Sequence, residues 1–207
     1  MAGHFLTFEG GEGAGKSTQA RLLAAALCAR GLPVLRTREP GGTPGAERLR
    51  ALLLGGETDW SAPAEALLHF AARAEHIERS IRPALDAGFW VICDRFSDST
   101  LAYQGYGQGA DRGLIRQLGG LMNLVPHMTF ILNISDDIAK YRLFHRGEDA
   151  DRYERLDAFF HSRVNVGFRD IAAAAPERCV LVAADGSEHA VHQSIMTALQ
   201  HRLDVPA

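Results

Sequence analysis

Apolar positions along the chain alternate between two spacings. Short unbroken apolar runs at 4–9, 33–37, 89–94, 128–134 and 178–184, bounded by Gly, Pro or charged residues, predict five strands. Between them, apolar residues recur at three- and four-residue intervals over 17–30, 44–54, 62–87, 111–121, 136–145, 155–174 and 188–202, which predicts helices. The strand runs are continuous rather than alternating, as a parallel sheet covered by helices on both faces requires. The pattern therefore predicts an α/β fold: a doubly wound, five-stranded parallel sheet in one domain over residues 1–207. No internal repeat, low-complexity tract or Pro/Ser linker interrupts it. The charged stretch 146–152 breaks the helical pattern between two helices, which suits either a solvated connection or a mobile lid.

Composition narrows the class. A chain of 207 residues, 46% hydrophobic and 23% charged, can bury about 70% of its unfolded surface. The net charge of −3 argues against a general binder of nucleic acid or membrane surface, which needs a clustered basic face. Of the 22 basic residues, only Lys16 and Lys140 are lysines. Cys28, Cys93 and Cys179 stand in apolar surroundings without C-x-x-C spacing, so they read as reduced core or near-core residues and not as a disulfide or zinc framework. The first strand begins almost at the N-terminus, and no apolar run approaches the length of a membrane span. The expected location is cytoplasmic.

The strongest chemical signal lies between the first strand and the first helix. Gly10-Gly11-Glu12-Gly13-Ala14-Gly15-Lys16-Ser17 fits G-x-x-x-x-G-K-[ST], with Thr18 continuing into the helix. Glycines let successive backbone N–H groups converge on phosphate oxygens, and the helix N-terminus adds about half a positive charge there. Lys16 supplies a cation for the β- and γ-phosphates, and the Ser17 hydroxyl is a ligand for Mg²⁺. The segment predicts binding of a nucleoside triphosphate.

Ligands of open α/β sheets sit beyond the carboxyl ends of the strands. Here the second strand runs into Thr37-Arg38-Glu39-Pro40-Gly41-Gly42-Thr43. The third runs into Asp94-Arg95-Phe96-Ser97-Asp98-Ser99-Thr100, then Tyr103-Gln104-Gly105. An Asp closing an apolar strand beside a phosphate loop is placed to act on Mg²⁺ or its water shell. Arg95 next to it offers a planar fork for a phosphate dianion.

Taken together, these residues resemble the bacterial thymidylate kinases, P-loop nucleoside monophosphate kinases. The resemblance runs from about residue 4 to 186. It rests on the phosphate loop with Glu12 inside it, the seven-residue loop 37–43, the Asp94-Arg95 pair, the run 99–105, and an Arg-rich lid over about 146–155 ending in Asp151-Arg152-x-Glu154. It implies transfer of the γ-phosphoryl of MgATP to dTMP, giving dTDP and ADP, with Mg²⁺ as cofactor, ATP and dTMP as partners, and a homodimer. It also implies roles residue by residue. Arg95, Arg38 and Arg50 grip the acceptor phosphate, and Glu12 accepts a hydrogen bond from the deoxyribose 3′-OH. Tyr103 fills the space beneath C2′. Arg73 and Gln104 bond the thymine edge, supported by Ser99 or Thr100. Arg142, Arg146 and Arg152 bring charge over the transferring phosphoryl, Arg142 on the ATP side, while Lys16, Arg95 and Asp94 complete the catalytic set and Ser17 and Asp94 manage the metal.

One position departs from the family pattern. Four residues before Arg73 the family carries Phe, where this chain has His69 followed by Phe70. Either ring can be the one that stacks on thymine, and helical register favours His69. Ala184-Asp185-Gly186 is either an edge of the adenine pocket or a simple turn. A different acceptor, such as dUMP, dCMP or a deoxynucleoside, is disfavoured by Tyr103 and the thymine-edge residues. A non-catalytic nucleotide switch needs an [NT]-K-x-D base-reading motif, and neither lysine stands in one.

Overall fold

The computed structural model describes residues 3–56, 58–146 and 152–205, with the backbone alone at residue 146. The strands are β1 (His4–Gly10), β2 (Val34–Arg38), β3 (Trp90–Asp94), β4 (Met128–Asn133) and β5 (Cys179–Ala183). They form one parallel sheet in the order β2-β3-β1-β4-β5. The helices are α1 (Lys16–Cys28), α2 (Pro44–Leu54), α3 (Ala62–His76), α4 (Arg82–Asp86), α5 (Ser97–Thr100), α6 (Arg112–Leu121), α7 (Asp136–Arg146), α8 (Ala158–Ala174) and α9 (Glu188–Arg202). Central β1 lies between β3 and β4, so its C-terminal end opens at the point where the strand order reverses, the position at which such sheets hold their ligands.

Apolar clusters cover both faces of the sheet. Leu6, Phe8, Ile92, Phe130 and Leu132 pack with Leu23 and Leu27 of α1 and Ile195 and Leu199 of α9. On the other face, Phe5, Val91 and Cys93 meet Ile77, Ile81 and Phe96. The central strands are buried almost throughout, as their unbroken apolar runs predict, whereas edge strand β2 keeps no fully buried residue. Two helix starts are set by their side-chain caps and not by their apolar period. Asp111 caps α6 through Gly113 and Leu114 N–H, and Asp157 caps α8 through Phe160 N–H, so α8 begins three residues later than its periodicity predicts.

Three expectations change. The helix expected over 62–87 is α3, then a π-helical turn at Ile77–Ile81, then α4. Pro83, which has no N–H to give back, sits in the first turn of α4, and the wider turn precedes it. The stretch after β3, to which the apolar pattern assigns no element, is α5 followed by a π-helical segment, Leu101–Gly107, with Ala102, Tyr103, Gln104, Gly105 and Gly107 all buried. Burial on more than one side erases the apolar period, and for that reason the segment is invisible to periodicity. Cys28 is exposed on the last turn of α1, while Cys93 and Cys179 are buried, and all three are free thiols.

Candidate active site

The site has two halves that meet at the C-terminal ends of β1 and β3. The donor half is built mostly from backbone. At Gly10 (φ 134°) a Cβ would stand 2.5 Å from the Leu132 carbonyl oxygen, and at Gly13 (φ 71°) 2.8 Å from that of Ala139, so β4 and α7 press directly on the loop. Helix α1 starts without a side-chain cap or an acidic residue in its first turn, leaving its N–H groups for an anion. Lys16 Nζ donates to the Gly11 carbonyl at 2.7 Å. Burial, helped by Arg95, lowers the Lys16 ammonium to about 8 against the pull of Glu12 and Asp94. The Ser17 hydroxyl donates to Asp94 Oδ2, bringing two hard oxygen ligands together beside the loop. Arg142 of α7 donates to the Ala184 and Gly186 carbonyls at 2.9 and 3.1 Å, and of residues 184–186 Gly186 lines this half. The resulting cleft is also lined by Arg38, Tyr141 and Glu154.

The acceptor half is a pocket that shares Glu12, Glu39, Arg50, Leu54 and Arg95 with the cleft as a common wall. Arg95 has φ 70°, a left-handed conformation that costs a large side chain about 1–2 kcal/mol. Its own N–H donates to the Phe8 carbonyl at 2.9 Å. Its guanidinium donates to the Gly10 carbonyl (3.1 Å), Ser99 Oγ (3.3 Å) and Glu12 Oε1 (2.5 Å), and lies 4.9 Å over the Tyr103 ring. The Tyr103 hydroxyl donates to the same Glu12 oxygen at 2.8 Å. Burial by itself would raise Glu12, but Arg95 and Lys16 hold its carboxylate down to about 2.

At the far end Arg73 is 2% exposed. Its Nε donates to Glu39 at 2.8 Å and its Nη2 to Thr100 Oγ1 at 3.0 Å, between the Phe70 and Phe96 rings at 4.7 and 5.1 Å. Its Nη1 is buried without a hydrogen-bond partner among the described residues. His76 Nδ1 meets the second Glu39 oxygen at 3.0 Å and its Nε2 meets Thr37 Oγ1 at 2.7 Å. Buried Glu65 accepts from Tyr153 (2.7 Å), Gln104 (2.8 Å) and Arg152 (2.5 Å). With its proton committed to Glu65, Tyr153 takes hydrogen bonds from Gln104 at 3.1 Å and His69 Nε2 at 3.0 Å. Burial, reinforced by Arg73 and Arg95, lowers His69 to about 3, so its ring is neutral.

Of the residues singled out from sequence, Glu12, Arg50, His69, Arg73, Arg95, Ser99, Thr100, Tyr103 and Gln104 line the acceptor cavity. Arg38 is half exposed, pairs with Glu47 at 3.4 Å and lines the larger cleft. Phe70 does not enter the acceptor cavity: it packs with Ala66, Ala110 and Ile115, because its side of α3 faces α6. Arg152 is not among the residues lining the triphosphate cleft. Glu65, 0% exposed, requires a counter-charge and holds it at the base end, with Asp59 at 3.6 Å from the same guanidinium. The Arg146 side chain and residues 147–151 of the expected lid lie outside the described residues. Glu9, Glu39, Glu65, His76 and Tyr153 carry much of the network and were not singled out. Glu39 stood inside a recognised loop, but buried carboxylates have no spacing signature. Glu39, His76 and Cys93 bring potential ligand atoms within 4.8 Å of one another, yet Glu39 and His76 bond each other and the Cys93 thiol donates to the Arg95 carbonyl at 3.0 Å.

The family model described as Thymidylate kinase matches residues 8–195. The chain is 51% identical to a thymidylate kinase of Rhizorhabdus wittichii, over 96% of this chain and 98% of the relative. It is 52% identical to one of Gluconobacter oxydans, over 98% and 97%. The crystal structure of thymidylate kinase from Ehrlichia chaffeensis superposes with a TM-score of 0.79 at 39% identity, covering 97% of this chain and 99% of that one. A phosphate loop joined through Glu12 and Arg95 to a second pocket, and similarity to these proteins over nearly the whole chain, lead to one assignment: the chain belongs to the thymidylate kinase family.

Proposed function

We propose that this chain transfers the γ-phosphoryl group of ATP to dTMP, giving dTDP and ADP. The observation that carries the class of acceptor, a 4-oxo pyrimidine nucleotide, is the Arg73 Nη1 donor, buried without a partner among the described residues on a side chain that lines the acceptor pocket. A desolvated donor of this kind calls for an acceptor oxygen from a ligand, and the thymine O4 edge supplies one. Gln104 lies beside it for the remaining edge, and the neutral His69 offers a flat face, the role the family gives to Phe. Tyr103 and Glu12 favour a deoxyribose, the first by occupying the space a 2′-OH needs and the second by accepting from the 3′-OH.

The acceptor phosphate attacks in line, and no covalent protein intermediate is needed. Arg95 and Arg50 orient that phosphate, Arg38 approaches from the cleft side, and Lys16 and Arg142 engage ATP with the loop 10–18. The Ser17 hydroxyl and Asp94 carboxylate suit Mg²⁺, which, when bound, neutralises charge on the β- and γ-phosphates. The segment 146–155 serves as a lid that supplies Arg146 and excludes water, and the family resemblance supports a cytoplasmic homodimer. A coupled ADP-release assay across dTMP, dUMP, dCMP, CMP and UMP tests the reading. Turnover led by dTMP is expected, and a preference for CMP or UMP would overturn it.

A further inference from the structure

Glu9, the last side-chain-bearing residue of β1 before the phosphate loop, is 0% exposed, and no role in binding or transfer calls for it. Its Oε1 accepts the Phe96 N–H at 2.8 Å and its Oε2 bonds the Ser99 hydroxyl at 2.5 Å. These two contacts bracket Arg95. The first fixes the peptide that follows the left-handed residue, and the second fixes the hydroxyl that accepts from Arg95 Nη1 at 3.3 Å. The nearby Asp98 carboxylate is occupied elsewhere, held by Arg178 at 2.6 and 2.9 Å. Among the described residues no basic side chain lies within ion-pair distance of Glu9. A buried carboxyl without a salt bridge is costly to keep, and its two hydrogen bonds both end on the turn that carries Arg95.

We propose that Glu9 is a positioning residue for the acceptor phosphate: it holds Arg95 in its left-handed conformation and fixes the guanidinium through Ser99. The inference rests on the assignment of Arg95 to that phosphate. Burial, with Asp98 beside it, pushes Glu9 up to about 8. The group therefore spends much of its time at neutral pH as a carboxylic acid, and in either form its two oxygens serve the Phe96 N–H and the Ser99 hydroxyl. Glutamine, like the carboxylic acid, offers an oxygen to the Phe96 N–H and a donor to the Ser99 oxygen, and alanine offers neither.

The test is calorimetric binding of dTMP and of thymidine, which fills the same cavity without a phosphate, to the full chain. Glu9→Ala is expected to weaken dTMP about 10–100-fold, the usual scale of a displaced binding group, and thymidine by no more than about threefold. Glu9→Gln is expected to restore dTMP to within about threefold of the parent. Equal loss on both ligands, or no loss on dTMP, overturns the proposal. Should Glu9→Ala not fold, Glu9→Asp, whose carboxyl is withdrawn by one methylene, is read by the same dTMP-to-thymidine ratio, and an unchanged ratio overturns it. Arg95→Lys serves as control. If it leaves that ratio unchanged, the reading of Arg95 fails; if it lowers the ratio while the Glu9 variants do not, this inference alone fails.

Discussion

The donor half of the site and the acceptor half differ in what they are made of. The donor half is centred on one continuous segment, 10–18, whose working groups are backbone N–H groups and a helix end, supplemented by Lys16 and Ser17, with Asp94, Arg142 and Gly186 at its margin. The acceptor half gathers side chains from the ends of β1, β2 and β3, from α2 and α3, and from the π-helical segment 101–107, and ties them with buried ion pairs and hydrogen bonds. A triphosphate presents many equivalent charges, and a cradle of amides suits any of them. A single nucleobase edge and one phosphate have to be met at particular atoms, which only side chains held from several directions can do.

The comparison can be broken by a mutation that should disable one half and spare the other. Lys16→Ala is expected to lower turnover by about 10²–10³-fold, the scale of removing one charge-stabilising donor, with dTMP affinity within about twofold of the parent. Coupled ADP release and calorimetry measure the two quantities. Comparable loss of dTMP affinity would mean that the halves are energetically one site. Arg73→Ala strikes the other half and should show a second consequence. It strands the buried Glu39 carboxylate, so a loss of about 3 kcal/mol in stability should accompany at least about a hundredfold weakening of dTMP, with the KM for ATP little changed. Thermal melting and steady-state kinetics on the same preparation check both.

Proton titration sharpens the contrast. Free Lys16 loses its proton through about 8, and the neutral amine no longer pairs with phosphate, so kcat/KM for ATP should fall up to about tenfold per pH unit above that point. Glu12 and His69, at about 2 and about 3, do not change charge between pH 5 and 7, so thymidine affinity should stay within about twofold across that range. The smallest effect belongs to His69→Phe. A neutral ring replaces a neutral ring and only the 3.0 Å hydrogen bond to Tyr153 is lost, so dTMP affinity should move by about threefold or less, whereas His69→Ala should cost about tenfold. If His69→Phe instead costs a hundredfold, the hydrogen bond and not the flat ring is what the base reads.

Legibility followed the same division. The five strands and the phosphate loop were readable because each depends on neighbours within a few residues: apolar continuity for the strands, glycine spacing for the loop. Helical register placed His69 on the cavity side of α3 and left Phe70 to the core. The segment 97–107 escaped, because a helix buried on several sides has no polar face to reveal its period. Glu9, Glu39 and Glu65 escaped for a related reason. None has a spacing signature of its own, even Glu39 inside its recognised loop, and each becomes part of the site through partners 34 to 90 positions away, such as Arg73 for Glu39 and Ser99 for Glu9.

The sequence by itself determined the α/β order of elements and the phosphate cradle, because these are set by local period, local backbone freedom and a short motif; most of the side chains that line the acceptor cavity came from it only through the family resemblance its motifs carry. Tertiary structure alone decided which carboxylates are buried and what compensates them. It turned Arg152 toward Glu65 at the base end, left Arg73 with one donor unspent, and placed Glu9 beneath the turn of Arg95. Burial and charge pairing are properties of what surrounds a residue in space, and strand order brings those surroundings together only after the chain has folded.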